Sequence, residues 1–147
     1  MKIISIINQK GGVGKTTTVI NLASGLSQLG KRILVIDLDP QGNATTGLGL
    51  SNNSQSDQTI YGILNGTMSI SNVIKKTIFQ NLDLISSNVD LSGLEVETAG
   101  DSDRAFILKA KLTAYLNDSR ELYDYILIDC PPSLSLLTVM ALVSSNS

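Results

Sequence analysis

The chain has 147 residues, 42% of them apolar and 16% charged, enough for one domain with a sizeable core and unlike a disordered, strongly charged chain. Its 11 basic and 13 acidic residues leave a net charge of −2, so coating of nucleic acid by bulk charge is not expected. With no histidine and a single cysteine, Cys130, an internal disulfide, a zinc enzyme and a Ser–His–Asp hydrolase are excluded.

In chain order, Ile3–Ile7, Arg32–Asp37 and Tyr125–Asp129 are short runs, β-branched and apolar at nearly every position. Unbroken apolar runs of this length predict strands covered on both faces, as in a parallel sheet between helices. Leu82–Ile85 is a fourth candidate. Between the first two runs, Val19 or Ile20, Leu22, Ala23, Leu26 and Leu29 recur at helical spacing, and Gly30 is placed to stop the helix. The loop from Pro40 to Gln58 is long, and Ser51–Gln58 holds no apolar residue, which points to a functional or mobile segment. Short helices are predicted at Thr59–Leu64 and Ile70–Ile74, and a longer one from about Asp103 to Leu116 with Ala105, Leu108, Leu112 and Tyr115 on one face.

A last helix is predicted over Leu134–Val143. Strand, helix and strand in this alternation make an α/β fold of one domain over residues 1–147. A parallel crossover needs a return strand, and none follows the last helix, so the chain is expected to be the front part of a longer protein. Ile3–Ile7 would then lie at an unprotected apolar edge, and the chain alone is expected to be marginally stable or prone to aggregate. The opening block is too short for a signal peptide. Leu134–Val143 is broken by Ser135 and Thr138 and falls short of the roughly 18–20 residues that span a bilayer. A cytoplasmic location without membrane contact is expected.

The strongest chemical signal is Lys10-Gly11-Gly12-Val13-Gly14-Lys15-Thr16-Thr17, set between the first strand and the first helix. A strand–glycine loop–helix arrangement turns backbone N–H groups around phosphate oxygens and adds the positive end of the helix. Lys15 would reach the β- and γ-phosphates and the Thr16 hydroxyl would hold Mg²⁺. The generic pattern G-x-x-x-x-G-K-[ST] fails at its first glycine, where Gln9 stands; the variant K-G-G-x-G-K-T-T fits. G-x-G-x-x-G fails too, because Thr17 stands where the last glycine should be, which disfavours a dinucleotide site.

Asp37 and Asp39 sit at the C-terminal end of the second strand and Asp129 at that of the third. Ligands of open parallel sheets bind at the carboxyl ends of the strands, the edge where the phosphate loop also lies. Asp129 suits a Walker B position at the metal, against the alternative of a turn residue before Pro131-Pro132. In a chain without histidine, Asp39 is the candidate for orienting or deprotonating an attacking water, unless it only shapes the turn before Pro40. Asp37 is either a metal partner or a strand terminus. Cys130 reads as a small buried apolar residue.

Lys10–Thr17, Asp37–Thr45 (D-L-D-P-Q-G-N-A-T) and Tyr123–Ser133 (Y-D-Y-I-L-I-D-C-P-P-S) resemble the ParA/Soj partition ATPases, a MinD-related deviant Walker A family, from Met1 to Ser147. The D-P-Q-G-N-A-T stretch is closer to ParA/Soj than to MinD, and the nitrogenase iron protein would need two cluster cysteines. The resemblance implies an ATPase using ATP and Mg²⁺, with Lys15, Thr16 and the backbone of Gly11, Gly12, Val13, Gly14 and Thr17 on the nucleotide. It gives Asp39 the catalytic position and Asp129 the Walker B position at the metal, with Thr16 beside it; Asp37 remains a candidate metal partner from its place at the strand end. It also implies an ATP-dependent homodimer in which Lys10 reaches the partner's phosphates. Pro131-Pro132 would lie in a segment that changes shape with the nucleotide. Further implied partners are a ParB/Spo0J-like centromere-binding protein and non-specific DNA, the latter bound mainly by parts beyond this chain. Two alternatives remain: a nucleotide-binding fragment without activity, and a P-loop ligase or synthase acting on a metabolite.

Overall fold

Each predicted strand became a strand because its side chains can be buried on both sides at once. The computed structural model describes residues 1–7, 14–51, 53–118 and 123–146, and for Lys15 the backbone only. β1 (Lys2–Ile6), β2 (Ile33–Asp37), β4 (Leu82–Ile85) and β5 (Tyr125–Asp129) form a parallel set, with the two-residue β3 (Lys75–Lys76) antiparallel to β4. The five-stranded sheet runs β1-β5-β2-β4-β3.

Alternate residues of β2 feed two cores. Ile33 and Val35 pack with Val19 and Ala23 of α1 (Lys15–Gln28), together with Leu48, Leu82, Leu84 and Leu127. Leu34 and Ile36 face the other side, with residues of α3 (Ile60–Leu64), α4 (Ile70–Val73), α6 (Ile107–Asp118) and α7 (Leu136–Ser144). Helices thus cover both faces, as the apolar runs require. Cys130 is buried in the second cluster, as expected.

α1 ends where Gly30 adopts a φ of 84°, a conformation that favours glycine. Its core-facing side is Val19, Ala23 and the half-buried Leu26, whereas Leu22 and Leu29 are exposed. At 3.6 residues per turn those two leucines fall on the flank of the helix rather than over the sheet. In α6, Leu108 and Leu112 are buried as expected, and a 3₁₀ turn, Arg104–Phe106, precedes it.

The loop from Pro40 to Gln58 contains a short helix, α2 (Asn43–Gly47), and a 3₁₀ turn, Ser56–Gln58, neither of which was predicted. Asn88 Nδ2 donates to the Ser54 carbonyl at 3.0 Å and to Ser56 Oγ at 3.2 Å. Lys75 Nζ donates to Ser54 Oγ at 3.2 Å and Ser86 Oγ at 2.8 Å. Polarity here reflects docking by hydrogen bonds in place of apolar contact. A 3₁₀ turn at Val89–Gly93 and α5 (Leu94–Glu97) complete the segment after β4.

β1 and β2, though joined through α1, are not neighbours, because β5 lies between them. Among the described strands β1 lies at one end of the sheet, and its residues Ile3–Ile6 are only half-buried. On its outer side the Ile3 N–H donates to Asn146 Oδ1 at 2.7 Å, and the Asn146 N–H donates to the Ile3 carbonyl at 3.0 Å. Among the described residues no helix is long and apolar enough to cross a membrane.

Candidate functional site

The parallel register brings the ends of three strands into one row. Ile6 of β1 is level with Asp129 of β5, which is level with Asp37 of β2. Asp37, Asp39 and Asp129 therefore emerge at the same carboxyl edge, as predicted, and are at most 5% exposed. The first turn of α1 faces this row. Gly14 precedes the helix with a φ of 103°, and its carbonyl accepts from the Thr18 N–H at 2.8 Å and from Thr18 Oγ1 at 2.6 Å. A side chain would strain that left-handed position.

Thr16 Oγ1 donates to Asp129 Oδ2 at 3.2 Å, joining residues 113 apart in sequence. Thr17 is exposed in the same turn. Lys10, Gly11, Gly12 and Val13 lie outside the described residues, as does the side chain of Lys15.

Asp37 has another engagement than the metal partnership considered for it. Its Oδ2 accepts from the Thr45 N–H at 2.9 Å and Thr45 Oγ1 at 2.7 Å, and its Oδ1 accepts from the Asp39 N–H at 3.0 Å. Both oxygens are thus committed to the turn that follows β2, so Asp37 anchors a loop here. Burial pushes its carboxyl up to about 7, with the nearby Asp129 charge adding to the rise, while the Thr45 and Asp39 donors pull the other way.

Asp39 sits at the head of that turn. Its Oδ1 accepts from the Gln41 N–H at 3.0 Å, and its carbonyl accepts from the Gly42 N–H at 2.9 Å. Thr45 and Ser87 were not singled out from the sequence, yet both are wholly buried against the turn. Ser87 Oγ donates to the Asp39 carbonyl at 2.8 Å, and the Ser87 N–H donates to Thr45 Oγ1 at 3.1 Å. The available signal was position: Ser86-Ser87 leave β4 at the edge where ligands of parallel sheets bind.

Chemically, the edge offers a hydroxyl and a carboxylate in contact, an oxygen-only donor pair of the kind hard cations take. Among the described residues no group of three or more His, Cys, Asp or Glu side chains is placed to hold a metal. Magnesium needs no such cage, because it usually binds through one or two carboxylates plus phosphate and water. The residues present fit that ion.

The sequence pattern of the AAA domain matches residues 1–147. The chain belongs to the AAA-domain family. It is 49% identical over 146 residues to the sporulation initiation inhibitor protein Soj of Bacillus subtilis, covering 99% of this chain and 56% of Soj. It is 44% identical to the chromosome partitioning protein ParA of Caulobacter vibrioides, over all of this chain and 54% of ParA. The chain spans about half the length of these relatives.

Among solved structures, a cobyrinic acid a,c-diamide synthase from Mycobacterium smegmatis with bound ATP analog and magnesium superposes with a TM-score of 0.89 at 34% identity. That match covers 99% of this chain and 57% of the synthase. A plasmid partition protein of Borrelia burgdorferi gives 0.81 at 35% identity, covering 99% of this chain and 62% of that one. The expected ParA/Soj resemblance and the P-loop α/β fold are both borne out.

Proposed function

We propose that this chain is the nucleotide-handling part of an ATP-driven partition switch. The observation that carries the reading is the Thr16–Asp129 hydrogen bond, which sets the first turn of α1 against the strand end next to Asp37 and Asp39. In this reading the backbone from Gly11 to Thr17 and the Lys15 ammonium bind the phosphates of ATP. Thr16 and Asp129 would hold Mg²⁺. Bound there, the ion would neutralise charge on the β- and γ-phosphate oxygens.

Asp39 orients a water and accepts its proton. The water oxygen bonds to the γ-phosphorus as the bond to the β–γ bridging oxygen breaks, and ADP leaves with that electron pair. Lys10 acts from one subunit on the nucleotide of another, so ATP would drive homodimer formation. A lysine supplied this way resembles an arginine finger, whose contribution is on the order of 10³–10⁵ in rate. A ParB-type partner and non-specific DNA would complete the switch in a cytoplasmic setting. Support for the partition reading comes from the relatives' names and from D-P-Q-G-N-A-T at Asp39–Thr45.

A second reading, a synthase that phosphorylates a carboxylic acid before amide formation, is favoured by the closeness of the cobyrinic acid synthase structure. Binding of a fluorescent ATP analogue and phosphate release separate the possibilities. Lys15→Ala should lose both. Lys10→Ala should keep binding and lose ATP-dependent dimerisation and turnover, and Asp39→Ala should keep binding and lose turnover. Equal binding by wild type and Lys15→Ala overturns the site. Phosphate release that depends on an added carboxylic acid and amine donor, but not on DNA, selects the synthase.

A further inference from the structure

The Asp39 turn is tied down from a strand that takes no part in the phosphate loop. After β4 the chain leaves the sheet through Ser86-Ser87, and Ser87 spends both of its main polar groups on the turn after β2. Its hydroxyl donates to the Asp39 carbonyl at 2.8 Å, and its N–H donates to Thr45 Oγ1 at 3.1 Å. Thr45 passes its own hydroxyl hydrogen to Asp37 Oδ2 at 2.7 Å, and Asp37 Oδ1 takes the Asp39 N–H at 3.0 Å. The bonds form a closed ring, Asp39 to Asp37 to Thr45 to Ser87 and back to Asp39.

Asp37, Thr45 and Ser87 are wholly buried and Asp39 is 5% exposed, so a lost member leaves its partners out of reach of bulk solvent. In a desolvated ring each bond is strengthened and each deletion strands a partner. The ring holds the main chain of Asp39 from both sides, at its N–H and its carbonyl, and so fixes where its carboxylate can point. Asp39 Oδ1 is further occupied by the Gln41 N–H, which leaves Oδ2 for a water.

We propose that Ser87 and Thr45 are positioning residues for Asp39, setting the aim of its carboxylate from the exit of β4. This rests on the reading of Asp39 as the group that orients the attacking water. Misplacement of a reacting group by about 1 Å can cost on the order of 100-fold in rate without loss of substrate binding. A purely structural pair would instead lower thermal stability and leave turnover by the folded protein unchanged.

The test compares Ser87→Ala, Thr45→Val, Thr45→Ser and Asp39→Ala with wild type, using phosphate release, binding of a fluorescent ATP analogue with Mg²⁺, and amide hydrogen exchange below the melting transition. Ser87→Ala and Thr45→Val should keep nucleotide affinity within about twofold and lower kcat about 10- to 100-fold. Thr45→Ser, which retains the hydroxyl, should return kcat towards wild type. Exchange at Leu38–Gly42 should quicken in Ser87→Ala and stay unchanged in β1 and β5.

Full kcat in Ser87→Ala while Asp39→Ala is inactive sinks the positioning role and spares the ATPase reading. Unchanged exchange at Leu38–Gly42 sinks it as well, whatever the turnover. A wild-type chain without turnover, or Asp39→Ala with full turnover, sinks both.

Discussion

The carboxyl end of β2 and the outer side of β1 place the same kind of strand in opposite surroundings. β2 is buried along its whole length, has strands on both sides, and ends in a ring of satisfied hydrogen bonds around Asp37. β1 is half-buried, pairs among the described strands only with β5, and meets on its other side the backbone and side chain of Asn146. Beside it α7 is apolar nearly all round, yet Val139 and Leu142 are exposed and so is Leu134 just before the helix. A helix of that kind is usually covered. The acidic half of the site is therefore built where the sheet is held on both sides, and β1, the strand that precedes the glycine loop in sequence, is held less tightly.

The sharpest way to break this contrast is truncation. Ile36→Ala in β2 should cost about 2–5 kcal/mol in urea unfolding, because a fully buried side chain leaves a cavity between fixed neighbours. Ile4→Ala in β1 should cost about 1 kcal/mol. Equal losses at the two positions would contradict the difference in constraint.

The next effect in size is titration of the buried ring. Native Asp37 has its carboxyl near 7, against 3.8 for an ordinary one, so between those values the folded chain holds a proton that the unfolded chain releases. Stability should therefore fall as pH rises from about 4 to about 7 and level off above. Asp37→Asn should flatten that slope, and chemical denaturation across the pH range reads it directly. The smallest effect belongs to α7. Leu142→Ser should stay within about 0.5 kcal/mol of wild type and reduce self-association in sedimentation.

Much of the sheet was legible because its signal is local. Tyr125–Asp129 and Leu82–Ile85 became strands at the predicted bounds, since unbroken β-branched runs of that length have few other ways to be buried. Asp37 and Asp129 were legible for the same reason, as each terminates such a run, and Asp39 follows two residues after the first. What escaped was held by contacts distant in sequence. α2 forms where Thr45 bonds Asp37, eight residues back, and β3 is two residues long and exists through its pairing with β4. Ser87 reaches Asp39 across 48 residues, a partnership that no periodicity encodes. Leu22 and Leu29 marked the helix correctly, but apolar spacing alone does not show which stripe meets the sheet, and both are exposed.

The position of β5 also orders events during synthesis. β1 and β2 are made early yet leave a gap between them that only residues 125–129 can fill. Until that late strand slides into the middle, Asp129 has no place beside Asp37, and Thr16 has no carboxylate to meet. A ribosome adding roughly 5–20 residues per second leaves the first strand without a strand neighbour for many seconds. Among the described strands, the one made latest is the wedge that brings the two halves of the edge together.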